Sequence, residues 1–422
     1  MFALVDCNSF FCSVEKVFHP GLRGKPVCVL SNNDGCIVAL TPEAKALGLR
    51  RGDPLFKVSG IVEANGVRVF SSNMMLYNAM SRRVTNILRK SVCCVDNYSI
   101  DESFCDLTGY EAYYDLEEFM RGLADKIRTW TDISVSVGVA PSKTLAKMGS
   151  KFAKKYPGYR SVCMIDTERK RRKALSLSAL EDIWGIGRAT LRKLTDFGVA
   201  SPLDFADKRE SWVRSRFPLP VLRTWKELNG IPCIDTHEVM CKQTICTSRS
   251  FGEMVSDLQH LREAVATFAS GCANKLRGQR AVAGSVTVFI SSNRFREDLP
   301  MYRNSMTMAF PVKTSDTMEI TQASMRLLEM IYRPAILYKK AGVIVGDIAG
   351  DACIEQHLYD KIHNRKQRYG LMKTIDQINQ AYGVKTVYLG TEGIGKQPWH
   401  VKCEQKSANY LTDVQELLTI HV

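Results

Sequence analysis

The sequence lacks the features that mark a secreted or membrane-spanning protein. Its 422 residues contain no run of 18 or more apolar residues, which a transmembrane helix requires. Its first residues, MFALVDCNSFF, lack the charged start and the long apolar stretch of a secretory signal. We therefore expect a cytoplasmic protein with no membrane partner.

Cysteine is not scarce, but the spacing used by metal sites is missing. The 14 cysteines include no CxxC pair and no Cys/His cluster at zinc spacing. In a chain of this size without a secretion signal, cysteines are mostly reduced and serve as small apolar residues. Structural zinc is therefore not expected.

Acidic residues are in deficit. The net charge of +14 favours a polyanionic partner, because neutralising phosphates releases counterions. Ribosomal, membrane-surface and nucleic-acid proteins share this surplus, so its position is more informative. Residues 143–173 carry eleven Lys or Arg against only Asp166 and Glu168. A solvated helix face is the alternative, but the imbalance favours phosphate contact.

The hydrophobic pattern predicts two α+β units, in a chain long enough for two to four domains. Residues 2–157 follow the order β, hairpin, helix, helix, ββ, helix, β, helix. This order predicts an antiparallel sheet of the split βαβ type with helices on one face. Residues 240–350 predict a second unit, with strands at 283–292 and 341–348 and a polar connection after the first strand.

The segment DIWGIGRATLRKL (182–194) lies between these units. Gly185 and Gly187 would join two short helices and leave backbone N–H groups exposed at a helix N-terminus, which favours phosphate binding. A simple turn between helices is the alternative. The basic residues that follow, Arg188 among them, favour a helix-hairpin-helix that binds DNA without sequence preference.

Acidic residues also occur at the ends of apolar strands. FALVD (2–6) ends on Asp6, and YSIDESFCDL (98–107) holds Asp101 and Glu102 at a strand-turn-strand tip. In a split βαβ sheet these strands can be adjacent, which brings the three carboxylates to one edge. Two divalent ions of a nucleotidyl-transfer site need such oxygen ligands. A solvated hairpin tip with unrelated surface acids is the alternative.

Taken in order, these motifs resemble the Y-family translesion DNA polymerases. Within them the sequence is most similar to the UmuC-type branch, the catalytic subunit of bacterial DNA polymerase V. The resemblance covers roughly residues 1–350 and is carried by VDCNSFFCSVE (5–15), GKPVCVLSNNDGCIVAL (24–40), EAKALGLRRGDP (43–54), YSIDESFCDL (98–107), SVGVAPSKTLAKMGSKFAKK (136–155), DIWGIGRATLRKL (182–194) and SRSFGE (248–253).

The resemblance implies an α+β multidomain fold, the right-hand polymerase. Its parts would be a ferredoxin-like palm (1–12 and 72–165), small fingers (13–71), a helix-hairpin-helix thumb (166–236), an α+β little finger (240–350) and a C-terminal partner-binding tail (351–422). Gly185, Gly187 and Arg188 would then contact a DNA phosphate.

The resemblance also implies the catalytic roles. Asp6, Asp101 and Glu102 would hold two Mg²⁺ ions, with the backbone carbonyl of Cys7 as a further ligand. Phe11 would be the steric gate that blocks a ribose 2′-hydroxyl, at a position where close relatives often carry Tyr.

The nucleotide contacts depart partly from the family pattern. Phe10 lies beside the gate and is expected to serve packing. Lys45 stands where the family often has Arg, so it would bind phosphate as a point charge. Lys154 matches the palm lysine that contacts the triphosphate, and Lys155 is the alternative residue for this role. Cys36 and Val38 would cover the nascent base pair with small side chains, which implies tolerance of damaged bases and low fidelity.

The resemblance further implies error-prone synthesis past damaged bases in the SOS response, without proofreading. The expected partners are primer–template DNA, dNTP, a UmuD′-type dimer and the RecA filament, in a nucleoid-associated protein. A sliding-clamp peptide would lie at 355–359, where Glu355 and Tyr359 replace the family's Gln and Phe and Leu358 keeps its Leu.

Two other functions are compatible with parts of the pattern. A catalytically silent DNA-binding scaffold at stalled forks would keep the helix-hairpin-helix, but the intact carboxylates argue against it. A nucleotidyl cyclase on a similar palm would leave the thumb and the little finger without a purpose.

Overall fold

The computed structural model describes residues 1–236, 242–353, 360, 362, 364–395 and 397–418. They form two compact units. Unit 1 holds the described residues of Met1–Ser31, Gly35–Val239 and Gln405–Val422, and unit 2 holds Asn32–Asp34 and those of Met240–Glu404. Among the described residues, no helix is long and apolar enough to cross a membrane.

Unit 1 alternates strands and helices before it becomes wholly helical. Its strands are β1 (Phe2–Cys7), β2 (Val27–Leu30), β3 (Ile37–Leu40), β4 (Arg68–Ser71), β5 (Cys94–Asn97), β6 (Glu102–Asp106), β7 (Val135–Ala140) and β8 (Val162–Met164). Its helices are α1 (Phe10–Phe18), α2 (Pro42–Ala46), α3 (Leu55–Ala64), α4 (Met74–Arg89), α5 (Leu116–Thr131), α6 (Lys143–Lys155), α7 (Glu168–Ser176), α8 (Arg188–Asp196), α9 (Pro202–Ala206), α10 (Glu210–Arg216) and α11 (Leu219–Leu228).

The main sheet of unit 1 has the strand order β5-β6-β1-β7-β8. Strand β1 is antiparallel to both β6 and β7, and β7 is parallel to β8. This is the predicted split βαβ arrangement. Strand β1 can occupy the centre because both of its faces carry apolar side chains, each packed in a different core. Ala3 and Val5 belong to the core that contains α4 and α5, whereas Leu4 belongs to the core that contains α6.

The expectation of helices on one face of this sheet is wrong, because both faces are covered. Helices α4 and α5 cover one face, and α6 covers the other. The close approach of α6 depends on Gly138 of β7, where a Cβ atom would lie 1.9 Å from the carbonyl oxygen of Ala146. An amphipathic pattern shows that a helix has a buried face but not which sheet face receives it.

A smaller sheet, in the order β3-β2-β4, lies elsewhere in unit 1. Strands β2 and β3 pair antiparallel as predicted, and β2 and β4 pair in parallel. Helix α2 begins after Thr41, whose hydroxyl accepts the Ala44 N–H at 3.3 Å, with Pro42 in the first turn. This is the first of the helices that the predicted order places after the hairpin.

Unit 2 is a second α+β unit, as predicted. Its strands β9 (Thr244–Val255), β10 (Ala281–Ser292), β11 (Arg303–Thr314) and β12 (Tyr338–Gly350) form one antiparallel sheet in the order β11-β10-β12-β9. The helices are α12 (Leu258–Gly278), α13 (Thr317–Ile331) and α14 (Arg365–Tyr382), and α12 and α13 contribute to the apolar core.

The polar connection expected after residue 292 is wrong over part of its length, because β11 occupies 303–314. It is an edge strand, paired only with β10 among the described strands, and most of its side chains are exposed or half-buried. Met306, Met308 and Phe310 alternate with exposed residues and pack against the core of unit 2, so the period-2 signal of a strand was present in the sequence.

The C-terminal region, which was expected to be a partner-binding tail, contains a long helix. Helix α14 is 18 residues long, and Arg368 in its first turns pairs with Asp316 at 2.7 Å. Residues 405–418, which we call the return segment, belong to unit 1. Tyr410 and Leu411 of this segment pack against the core that contains α1 and α4.

Candidate active site

Three carboxylates meet at one end of the main sheet. Asp6 on β1 lies directly opposite Glu102 on β6 in the antiparallel register. Side chains alternate along a strand, so Asp6 points to the side of Leu4 and Glu102 to the side of Phe104, which is the face covered by α6. Asp101 precedes β6, and its backbone carbonyl accepts the N–H of Cys7 at 2.9 Å. The structure therefore brings the three predicted acids together.

The turn before β6 holds the Asp101 side chain in place. The Ser99 hydroxyl donates a hydrogen bond to Asp101 Oδ1 at 2.6 Å and accepts one from the backbone N–H of Glu102 at 3.1 Å. A serine two residues before an acid is typical of such a side-chain-supported turn. This turn breaks the strand alternation, so adjacent acids can face the same edge.

Two lysines of α6 compensate the carboxylates. Lys154 Nζ lies 3.2 Å from Asp6 Oδ1, and Lys147 Nζ lies 2.8 Å from Glu102 Oε1. The two lysines are seven residues apart, which is two helical turns, so they share one face of α6. Lys154 was predicted and Lys147 was not. Its spacing from Lys154 was the signal that could have identified it.

The electrostatics leave an excess of negative charge at this edge. Burial raises the pKa of Asp6 above its ordinary value of 3.8, and Lys154 lowers it to a smaller extent. The neighbouring Glu102 and Asp101 carboxylates raise the Asp6 pKa further. Two lysines against three clustered carboxylates do not neutralise the site, which favours binding of additional cations.

A pocket of about 550 Å³ opens beside Asp101. Its wall combines apolar groups of α1 and β3 with a set of cations. The residues that line it are Cys7, Ser9, Phe10, Phe11, Val38, Ala39, Leu40, Lys45, Leu49, Arg50, Arg51, Ile100, Asp101 and Lys154. The predicted nucleotide-binding residues Phe10, Phe11, Val38, Lys45 and Lys154 are all present. Among the described residues, Cys36 is not one of those that line the pocket.

Arg50 and Arg51 were missed by the sequence analysis. Both lie in the turn after α2 and line the pocket on the same wall as Lys45. Their signal was the adjacent pair of arginines shortly after the helix that carries Lys45. Lys155, the alternative to Lys154, instead lies over the exposed ring of Tyr156.

The aromatic residues at the start of α1 differ in their environment. Phe10 is only 3% exposed and belongs to the core, although its edge reaches the pocket. Phe11 is half-buried and stacks on Tyr77 of α4, with ring centroids 4.5 Å apart and planes at 15°. The ring of Phe11 is therefore held in a defined orientation at the pocket wall.

Comparison with known proteins assigns the chain to a family. Residues 5–151 match the impB/mucB/samB family, residues 242–358 match the C-terminal domain of that family, and residues 369–420 match a domain of unknown function, DUF4113. Protein UmuC of Salmonella typhimurium is 39% identical over 423 residues, which cover 100% of each chain. Protein ImpB of the same species is 39% identical over 420 residues, 99% of each chain. The chain belongs to the impB/mucB/samB family.

Comparison of structures supports the same assignment at the level of the fold. A Y-family DNA polymerase chimera of Dbh and Dpo4 is similar with a TM-score of 0.64 and 22% identity, over 83% of this chain and 100% of that one. The predicted α+β right-hand fold is thereby confirmed. The chain is a UmuC-like member of the Y-family DNA polymerases, as its motifs indicated.

The predicted helix-hairpin-helix lies apart from the pocket lining. A single turn at Leu180–Asp182 stands in place of the first expected helix, and α8 begins after Gly187. Gly185 has φ +94°, and a Cβ atom there would lie 2.3 Å from Thr224 Oγ1, so the turn itself requires glycine. Gly187 has room for a Cβ atom, so its glycine is not demanded by the fold. Arg188 is exposed beside it.

The sliding-clamp peptide lies outside the described residues. Glu355, Leu358 and Tyr359 fall in the gap between residues 353 and 360. Their role therefore stays a prediction from the sequence.

Proposed function

We propose that this Y-family DNA polymerase copies damaged templates by Mg²⁺-dependent nucleotidyl transfer at Asp6, Asp101 and Glu102. The observation that carries the proposal is the convergence of these three carboxylates at the end of β1 and β6, beside a pocket lined by Phe11 and by cations. An acidic edge next to a cationic wall matches the charge pattern of a metal-bound nucleoside triphosphate.

The donor set fits Mg²⁺, which prefers oxygen ligands. Asp6, Asp101 and Glu102 would hold two ions, with the carbonyl of Cys7 as a further ligand. With their side chains as they stand, no three His, Cys, Asp or Glu residues of the described chain are grouped closely enough to hold a metal. In this arrangement Lys147 and Lys154 each engage one of the carboxylates. When bound, the ions would activate the primer 3′-hydroxyl and stabilise the leaving pyrophosphate.

The cationic residues of the pocket would bind the triphosphate. Lys154 lines the pocket and lies 3.2 Å from Asp6 Oδ1, so its ammonium group would also contact the phosphates of a nucleotide bound there. Lys45 is exposed on the same wall, with Arg50 and Arg51 beside it. The arginines can form bidentate contacts with phosphate that Lys45 cannot form, which compensates for lysine at that position.

The pocket wall would also select the sugar and cover the base. Phe11 would block a ribose 2′-hydroxyl by the bulk of its ring, with Phe10 supporting it from the core. Val38 would cover the nascent base pair with a small side chain, and Cys36 would do so near the edge of the pocket. A small cover accommodates a damaged template base and lowers fidelity, which fits error-prone synthesis without proofreading.

The parts of the chain outside the active site would bind DNA. We assign the palm to 1–12 and 72–165, the fingers to 13–71, the thumb to 166–236 and the little finger to 240–350. Gly185, Gly187 and Arg188 would bind a DNA phosphate at the N-terminus of α8, where backbone N–H groups are exposed. The net charge of +14 supports this binding.

The similarity to UmuC supports a role in the SOS response, close to the nucleoid. We infer a UmuD′-type dimer and the RecA filament as protein partners, with the tail at 351–422 as a partner-binding region. We also infer weak sliding-clamp binding through Glu355, Leu358 and Tyr359, because two of the expected side chains are replaced.

The experiment is primer extension with Mg²⁺ on a template that carries one abasic site, with and without UmuD′-type and RecA proteins. Wild-type protein with its partners should extend past the lesion, and Asp101→Ala should not. Extension by Asp101→Ala at the wild-type rate would refute the catalytic assignment. Absence of extension by the wild type under all conditions would instead support a DNA-binding scaffold.

A further inference from the structure

A buried carboxylate lies behind the stacked rings of Phe11 and Tyr77. Glu15 is on α1, one turn after Phe11, and is 0% exposed. The Tyr77 hydroxyl donates a hydrogen bond to Glu15 Oε1 at 2.6 Å. Because Tyr77 stacks on Phe11 at 4.5 Å, Glu15 fixes the position of the ring that supports Phe11. This glutamate has no part in the proposed catalysis.

The second donor to this carboxylate comes from the far end of the chain. The Ser407 hydroxyl of the return segment donates to the same Oε1 atom at 3.0 Å. Glu15 Oε2 has no hydrogen-bond partner in the described part of the chain. Burial raises the pKa of Glu15, and the hydrogen bonds from Tyr77 and Ser407 lower it. Ser407 is therefore one of two donors that offset the cost of burying this carboxylate.

The return segment is attached to the end of β4 and to the start of α4 by specific hydrogen bonds. Asn73, fully buried, receives the Leu76 N–H on its Oδ1 at 3.3 Å and so caps α4. Its Nδ2 donates to the carbonyl of Ser407 at 2.9 Å. Ser71 accepts the N–H of Gln405 at 2.9 Å and donates its own N–H to the Gln405 carbonyl at 3.0 Å.

The segment is attached to α1 by an aromatic contact. Tyr410 stacks on Phe18, with ring centroids 4.9 Å apart and planes at 17°. It therefore contacts the helix that carries Phe11 and Glu15, whereas Asn73 anchors it at the start of the helix that carries Tyr77. The two helices that form the Phe11–Tyr77 stack thus share one support.

We propose that the return segment is a positioning element of the nucleotide pocket, in which Ser407 acts through Glu15 and Tyr77 to hold Phe11 against the ribose of the incoming nucleotide. This inference rests on the proposed gate role of Phe11. It gives a function in sugar selection to part of the stretch that matches a domain of unknown function. Ser407 is a positioning residue and does not touch the substrate pocket.

The experiment uses the full chain with Ser407→Ala, its conservative variant Ser407→Thr, and the control Thr412→Ala. Thr412 is an exposed hydroxyl residue of the same segment. For each protein, kcat and KM are measured for single incorporation of dNTP and of rNTP on an undamaged template. Ser407→Ala should lower the dNTP preference by about three- to tenfold, as expected when the Glu15 carboxylate loses one of its two donors. The effect should lie in a lower KM for rNTP, with kcat for dNTP nearly unchanged.

The variants separate positioning from general loss of structure. Ser407→Thr keeps the hydroxyl and should restore the preference, and Thr412→Ala should match the wild type. Hydrogen exchange should rise in 10–18 and 74–82 for Ser407→Ala only. An unchanged dNTP preference in Ser407→Ala, with normal dNTP incorporation, overturns the inference but leaves the proposed function intact. If no variant incorporates any nucleotide, the proposed function fails, and unchanged exchange in both helices then overturns the inference separately.

Discussion

Asp6 and Glu102 lie directly opposite each other on neighbouring antiparallel strands, and lysines of one helix hold both. The ammonium groups of Lys147 and Lys154 lie beside carboxylates that could also bind metal ions. This relationship makes the carboxylate edge, the cationic wall and the support of Phe11 separately testable.

Asp101→Asn tests the carboxylate edge. We expect incorporation of dNTP to fall by at least about a hundredfold, because one metal-ligand charge is lost while the shape is kept. Single-nucleotide incorporation measures this, with circular dichroism as the check of folding. The control is Asp125→Asn, which removes an exposed acid paired with Arg128 and should leave the rate unchanged. Equal rates in both variants would contradict the assignment.

Lys154→Ala and Lys155→Ala form a matched pair. Lys154 lines the pocket, so its loss should raise the KM for dNTP by about tenfold, which corresponds to the loss of one charge-assisted hydrogen bond. Lys155 lies over Tyr156, and its loss should change the KM less than twofold, roughly the effect of an exposed contact. Steady-state kinetics at fixed primer–template concentration measures both. A larger effect in Lys155→Ala would reverse the assignment.

Phe11→Ala should admit ribonucleotides. Removing the ring opens space where a 2′-hydroxyl would otherwise collide, so rNTP incorporation should rise by at least about tenfold relative to dNTP. Competition between matched dNTP and rNTP on one template measures this ratio. Phe56→Ala is the control, because that ring is 77% exposed on α3. A ratio that moves equally in the two variants would rule out a gate at Phe11.

Glu15 should make stability depend on pH. Its folded pKa is raised above the ordinary value of 4.5, mainly by burial, while Tyr77, Ser407 and His19 oppose the shift. The contribution to the free energy of unfolding is therefore fully present below the unfolded pKa and is lost as pH rises through the folded pKa. Denaturation between pH 4 and pH 8 should show this loss in the wild type and a weaker one in Glu15→Gln. Identical pH profiles would contradict the prediction.

The glycines before α8 should separate folding from DNA binding. Gly185→Ala should destabilise unit 1 by about 1–3 kcal/mol, because its φ of +94° and the contact with Thr224 disfavour a side chain. Gly187→Ser should leave stability within about 0.5 kcal/mol, since a Cβ atom fits there. It should still weaken primer–template binding, because a side chain hinders the approach of a phosphate. Thermal unfolding and fluorescence anisotropy measure the two effects.

The amino-acid sequence by itself determined strands β1, β6 and β7 of the main sheet and the residues at the acidic edge, whereas α1, α3, β4 and β8 were absent from the predicted order. Asp6 ends an apolar strand, and Asp101 and Glu102 interrupt another, which are signals within a few residues. The helices α4, α5 and α6 were equally evident from apolar spacing. Local patterns of this kind depend on backbone geometry, so they can be recognised without the fold.

Only the tertiary structure decided which distant residues meet. Lys147 faces Glu102 because α6 packs on the second face of the sheet, which its own pattern does not specify. The place of strand β11 at the sheet edge follows from its pairing with β10, which the alternation of Met306, Met308 and Phe310 does not specify. Ser407 meets Glu15 across 392 residues of sequence, and no periodicity relates two such positions. Pairings of this kind arise from packing and hydrogen bonding between elements, which become defined when the chain folds.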